Sequence, residues 1–181
     1  MTLIDSLRSD PKFSPQRSQQ WFAEKIKEMT GQTRIGSLDM LAMHKAQLTQ
    51  KIMPGDMYMF TYDPKTKEKL PFYDKFPLVF PFNKDVEGFI GINLHYLKPT
   101  YRIKMLSDLM EVAKNDRYGQ PQKLNLTWSY LNNAAKYPQL STCIKRYLYG
   151  HVKSSFLKVN PNDWAMTAML PTEKWAKGRP Y

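Results

Sequence analysis

Between Arg117 and Asn162 the chain has no aspartate and no glutamate. It is nearly without cysteine, too. The single Cys143 excludes an internal disulfide and points to a reducing compartment. No apolar run approaches the ~18 residues that a membrane-spanning helix requires, so no membrane partner is expected. Near the N-terminus Leu3, Ile4 and Leu7 are broken up by Asp5, Ser6 and Arg8, which is not the apolar core of a signal peptide. Neither Gly-x-Gly-x-x-Gly nor a Walker motif occurs, so there is no glycine loop to cradle a nucleotide phosphate. The three histidines, His44, His95 and His151, have no partner at ligand spacing. A metal needs several converging N, S or O ligands, so no metal and no cofactor is expected, and the histidines read as core or hydrogen-bonding residues.

What is present is positive charge and aromatic area. The chain has 181 residues, 42% of them apolar, and a formal charge of +11. That is enough to bury a core without staples and too apolar for a disordered tail. Residues 54–98 hold six basic and six acidic residues, whereas 99–160 hold ten basic and three acidic. In the acid-free run, Arg117, Lys123, Lys136, Lys145, Arg146, Lys153 and Lys158 are interleaved with Tyr118, Trp128, Tyr130, Tyr137, Tyr147, Tyr149 and Phe156. Lysine and arginine replace the counterions of a phosphate backbone, and flat rings stack on exposed bases. The bland alternative is a solvated basic face over an aromatic core.

The periodicity predicts an α+β domain with arms. Residues 1–53 form an N-terminal arm and helices, with an amphipathic helix from Gln19 to Met29 and an ambiguous stretch from Leu38 to Leu48. Residues 54–98 form a strand-rich core, either an SH3-like partial barrel or a bent antiparallel sheet. It opens at the Pro54-Gly55 turn and carries strands near 57–62, 76–82 and 88–97, where residues alternate between two faces. Pro77 and Pro81 place the second of these on an edge or at bends, and Gly91 marks a bulge or a close approach. Residues 99–160 form a basic helical region, with helices over 99–115, 125–137 and 141–157. Residues 161–181 contain a short element and a tail from Pro171.

The third of those helices carries the predicted interface. Helical spacing puts Ile144, Tyr147, Leu148, His151 and Val152 on a core face and Lys145, Arg146, Tyr149 and Lys153 on a basic one. Arg102, Lys104 and Lys158 extend this DNA-contacting set. Cys143 reads as a plain buried cysteine, since His151 is two turns away on the same helix. Asp56, Asp63 and Glu68 belong to a group of carboxylates in the strand region. A metal-dependent nuclease would use such residues, but they sit beside turn residues and lysines, where loop chemistry explains them.

Longer runs carry a resemblance. Pro54 to Lys67, Leu70 to Phe80, Gly88 to Leu97, Cys143 to Phe156 and Trp164 to Glu173, with Ser-Gln-Gln-Trp-Phe at 18–22, resemble a family of virion proteins of large contractile-tailed phages. The family is described as DNA end protector or head-completion proteins. The resemblance implies a non-catalytic protein, assembled in the host cytoplasm and carried in the virion. It would bind the double-stranded ends of packaged DNA and help to complete the head. It also implies partners among other phage structural proteins: portal, neck, tail or baseplate. A structural neck, tail or baseplate component would carry the same pattern, and the Pro-containing arms at 1–17 and 171–181 suit docking.

Overall fold

The computed structural model describes residues 48–113, 115–161, 164–169 and 172–180. The expected N-terminal arm, the helix at Gln19 to Met29, the ambiguous stretch before Leu48 and His44 lie outside the described residues. In chain order the elements are β1 (Leu48–Thr49), β2 (Met57–Met59), β3 (Tyr73–Asp74), β4 (Leu78–Lys84), β5 (Gly88–Asn93), α1 (Pro99–Ala113), α2 (Gln120–Ala134), β6 (Ile144–Leu148), β7 (Phe156–Val159), α3 (Trp164–Met169) and β8 (Trp175–Ala176). The fold is α+β. Six strands form one open antiparallel sheet in the order β1-β7-β2-β4-β5-β6, and β3 pairs with β8 in a separate two-stranded ribbon. None of the described helices is long and apolar enough to cross a membrane.

Successive residues of a strand face opposite sides of a sheet, and this period builds two cores. On one side Met57, Met59, Leu78, Phe80, Ile92, Leu157 and Val159 pack against Met105, Leu106, Leu109 and Met110 of α1, Leu131 and Ala134 of α2, and Trp164 and Ala168 of α3. On the other, Tyr58, Phe60, Tyr62, Val79, Phe89, Tyr147 and Phe156 make an aromatic cluster. Phe60 is its centre, edge-on to Tyr147 at 5.2 Å and to Phe156 at 5.1 Å between ring centroids. After β6 the chain turns through Tyr149–His151, bridges Tyr62 to Val152, and returns as β7 between β1 and β2.

That return corrects the expected helix over 141–157. The segment is a 3-10 turn at Pro138–Cys143, then β6, a second 3-10 turn and β7. Tyr147, Tyr149, Val152 and Phe156 are residue types that suit strands. The open edges of β5 and β2 also offer unpaired backbone groups that a helix here would leave unsatisfied. Two smaller differences have local causes. α2 begins at Gln120 rather than near Asn125, because Pro121 is tolerated in a first turn and Gln122 Oε1 accepts from Gly119 N at 3.1 Å. Pro81 lies in a central strand, not an edge, beside the register shift between Pro81 and Asn83. Gly91, opposite Pro81, is a close-approach residue: a Cβ there would strike Val79 and the Phe80 carbonyl.

The expected tail is also part of the body. Thr172 is buried, β8 pairs with β3, and Trp175 packs edge-on against Tyr96 at 4.9 Å and against Phe72. The ribbon is fixed by Asp74. Its Oδ1 accepts from the amides of Phe76 (3.0 Å) and Lys174 (3.2 Å), and its Oδ2 from Asn93 Nδ2 (3.3 Å). The same Oδ2 lies 2.6 Å from His95 Nδ1, while His95 Nε2 is 3.2 Å from Thr172 Oγ1.

Gly88 leaves no room for a side chain, because a Cβ would collide with the backbone of Tyr147 on β6. Gly88→Ala should therefore cost about 1–3 kcal/mol by strain, read as a lower urea midpoint. Burial raises the pKa of Asp74, but the attraction of the His95 ring and the hydrogen bonds to the carboxylate outweigh that, and the net shift is down. A depressed folded pKa stabilises the protein above the unfolded value, and the stabilisation is lost as pH falls through the folded one. The melting temperature should thus decline below about pH 4. Asp74→Asn should cost about 1–3 kcal/mol through buried donors left without their carboxylate acceptor and flatten that acid limb in a pH series of thermal melts.

Candidate nucleic-acid interface

The seven residues expected to contact DNA fall in four different settings. Arg102, on α1, is buried. Its guanidinium donates to the carbonyls of Leu97 (2.8 Å), His95 (3.0 Å) and Ala168 (3.1 Å), tying α1 to α3 and to the turn after β5. Lys145, on β6, holds its Nζ 4.2 Å from the centre of the Tyr96 ring, and burial pushes its pKa down. Tyr149 lies in the turn after β6, tilted against Phe89 at 5.8 Å, and burial raises its pKa.

Arg146 and Lys158 are on the surface but face carboxylates. Arg146 grips Asp85 through two bonds of 2.7 and 3.2 Å, with Glu87 at 3.7 Å. This hydrogen bonding holds the Asp85 carboxyl below its ordinary range. Lys158 Nζ is 2.7 Å from Asp56 Oδ2. The Arg146–Asp85 pair is exposed on both sides and contributes little to stability, so a phosphate oxygen can take the place of that carboxylate, whereas Asp56 is largely shielded beside Lys158. Lys153, just after the Tyr62–Val152 bridge, and Lys104, on α1, are exposed. The structure therefore does not gather the seven on one helical face. It sets Lys145 and Arg146 on a strand, whose neighbouring side chains diverge.

The carboxylates weighed for a nuclease are separated as well. Asp56 faces Lys158, Asp63 is 3.0 Å from Lys67, and Glu68 is 3.9 Å from Lys177. Among the described residues no group of three or more His, Cys, Asp or Glu is placed to hold a metal ion. Asp74, His95 and Thr172 stand in the order of an acid–base–nucleophile relay. All three are buried, however, and their bonds hold the β3–β8 ribbon in place. His151 Nδ1 pairs with the Asp63 carbonyl at 2.9 Å. These two histidines are hydrogen-bonding residues, as expected.

A feature the sequence reading missed lies between the helices. Tyr101, Lys104, Met105 and Asp108 of α1 and Tyr130, Asn133 and Ala134 of α2 line an open cavity of about 600 Å³, together with Tyr137 and Leu140. Tyr130 and Tyr137 stand among the aromatics interleaved with the basic residues in the sequence. The available signal was that tyrosine, not leucine, recurs on the facing sides of two neighbouring helices.

Cys143 is buried at the end of the 3-10 turn before β6, and burial pushes its thiol pKa up. It is predicted to resist a thiol-reactive chromogenic reagent at about pH 8 while the protein is folded. It should react fully in denaturant, and fast labelling of the native protein would contradict this.

Comparison with curated proteins and with solved structures finds no significant match. A family model does match, described as the phage T4 terminal DNA protecting protein, and it spans residues 1–181. The chain belongs to the family of phage T4 terminal DNA protecting proteins.

Proposed function

We propose that this protein binds the ends of linear double-stranded DNA in a phage particle and shields them from exonucleases without catalysis. It also helps to complete the head by contacting neighbouring structural proteins of the portal, neck, tail or baseplate. The observation that carries the reading is the full-length match to a family described by protection of terminal DNA. The charge supports it: the formal balance is +11, and a protein of this sign is drawn to a phosphate backbone and releases its counterions. The contacts fall first to Lys104 and Lys153, which are exposed. Arg146 follows by exchanging Asp85 for phosphate, and Lys158 through its half-exposed side chain. Lys145 and Tyr149 back this surface from partly buried positions, and Arg102 holds the scaffold beneath Lys104.

The test is exonuclease digestion of linear duplex with added protein, alongside binding measured across a salt series. Each phosphate contact steepens log K against log salt by about 0.9, so Lys104→Glu/Lys153→Glu should flatten the slope by about 2 and weaken protection. Equal digestion with and without the protein, together with no salt-sensitive binding, would rule out end protection. That outcome would leave a structural connector whose charge faces other proteins.

A further inference from the structure

The groove between α1 and α2 has features that a purely phosphate-binding surface does not need. Two of its rings stand in solvent, Tyr101 at 53% and Tyr137 at 63% exposure. A tyrosine joins an apolar ring to a polar tip, which suits a contact that is half wet. Between them the floor is apolar, with Met105 and Ala134 buried. The volume of about 600 Å³ lies in the usual range for small-molecule pockets.

The polar groups at the groove are few and chemically distinct. Tyr130 donates its hydroxyl to Asp108 Oδ2 at 2.9 Å, which fixes the ring and the carboxylate together. Lys136 Nζ donates to Asn133 Oδ1 at 3.2 Å, and Lys104 forms part of the lining. A carboxylate accepts from an exocyclic amino group and an amide pairs with adenine edges, while the lysines suit the flanking phosphates. Asp108 repels phosphate, so it orients a nucleotide with its base inward and its backbone toward Lys104 and Lys136.

We infer that this tyrosine-lined groove receives an unpaired nucleobase from the terminus of a DNA strand, as in a frayed or overhanging end. The inference rests on the end-binding reading and deepens it. A stacked pair is closed to such a groove, because its faces are covered by neighbouring base pairs, whereas a terminal base offers a free face. Seating that base removes the last nucleotide from the reach of an exonuclease, which coating the backbone alone does not do. Ring stacking of this kind tolerates any base, as a protector of ends requires.

The experiment uses the full chain and a duplex with a short single-stranded overhang that carries a fluorescent adenine analogue at its last nucleotide. A second duplex carries the analogue at an internal paired position. Binding should change the fluorescence of the terminal analogue only, and the overhang should bind about tenfold tighter than a blunt duplex. Tyr101→Ala and Tyr137→Ala should each lose about tenfold in overhang affinity and abolish the fluorescence change, while Tyr137→Phe keeps both. Both rings are more than half exposed, so their removal leaves the core intact, as a thermal melt verifies. If a variant fails to fold, the wild-type fluorescence still decides. Exonuclease protection of blunt duplex is measured in parallel. Protection without any fluorescence change at the terminal base overturns the groove inference alone. Failure to bind DNA in any form overturns the end-binding reading with it. Displacement of the signal by a structural protein of the particle, with no effect of the tyrosine substitutions on DNA, would assign the groove to a protein partner and overturn the inference.

Discussion

A carboxylate buried without compensation costs far more than any single contact returns. Asp74 is buried and avoids that cost because four groups converge on it: the amides of Phe76 and Lys174, the side-chain amide of Asn93, and His95 Nδ1. Those four come from three separate stretches of chain. The carboxylate therefore requires the ribbon of β3 and β8, the end of β5 and the turn after it to be in place together. Asn93 passes the constraint on by donating to Tyr147 Oη at 3.0 Å, which links the polar hub to the aromatic cluster around Phe60. Arg102 extends it further, since one of its acceptors is the carbonyl of His95. The helix that borders the groove is thus positioned from the same hub.

How much of this was legible depends on which force set each element. Met57, Met59 and Leu78 alternate with Tyr58, Phe60 and Val79, and both sets are buried on opposite sides of the sheet. A pattern of period two is read directly from such residues. The helix expected over 99–115 is equally plain as α1, which buries Met105, Leu106, Leu109 and Met110. Residues 141–157 were misread because Ile144, Leu148 and Val152 also fit a helical period. The deciding factor, an open edge on β5 and a gap between β1 and β2, lies elsewhere in the chain and leaves no local mark. The strap at 172–176 was hidden for a similar reason. Thr172 and Trp175 look like tail residues until His95 and Tyr96 are brought to them.

The same non-locality governs the charge. The acid-free run suggested an undiluted basic face, but the fold supplies acids from the 54–98 segment: Asp85 and Glu87 to Arg146, and Asp56 to Lys158. A run without acids in sequence is not a surface without acids in space. The candidate site was therefore legible as a sign of charge and a class of ligand. Which cations remain exposed, and which rings frame a cavity, required the sheet and the helix pair.

The position of β7 bears on how the chain comes to its fold. β2 pairs on one side with β4, close in sequence, and on the other with β7, roughly a hundred residues later,. During synthesis the strands from Met57 to Asn93 and both long helices emerge while β2 and β5 each lack a neighbour. Unpaired edges beside aromatic surface promote association between nascent chains. The last quarter of the polypeptide closes that window by filling both edges through one continuous return. A chain that stops before Ile144 keeps that window open.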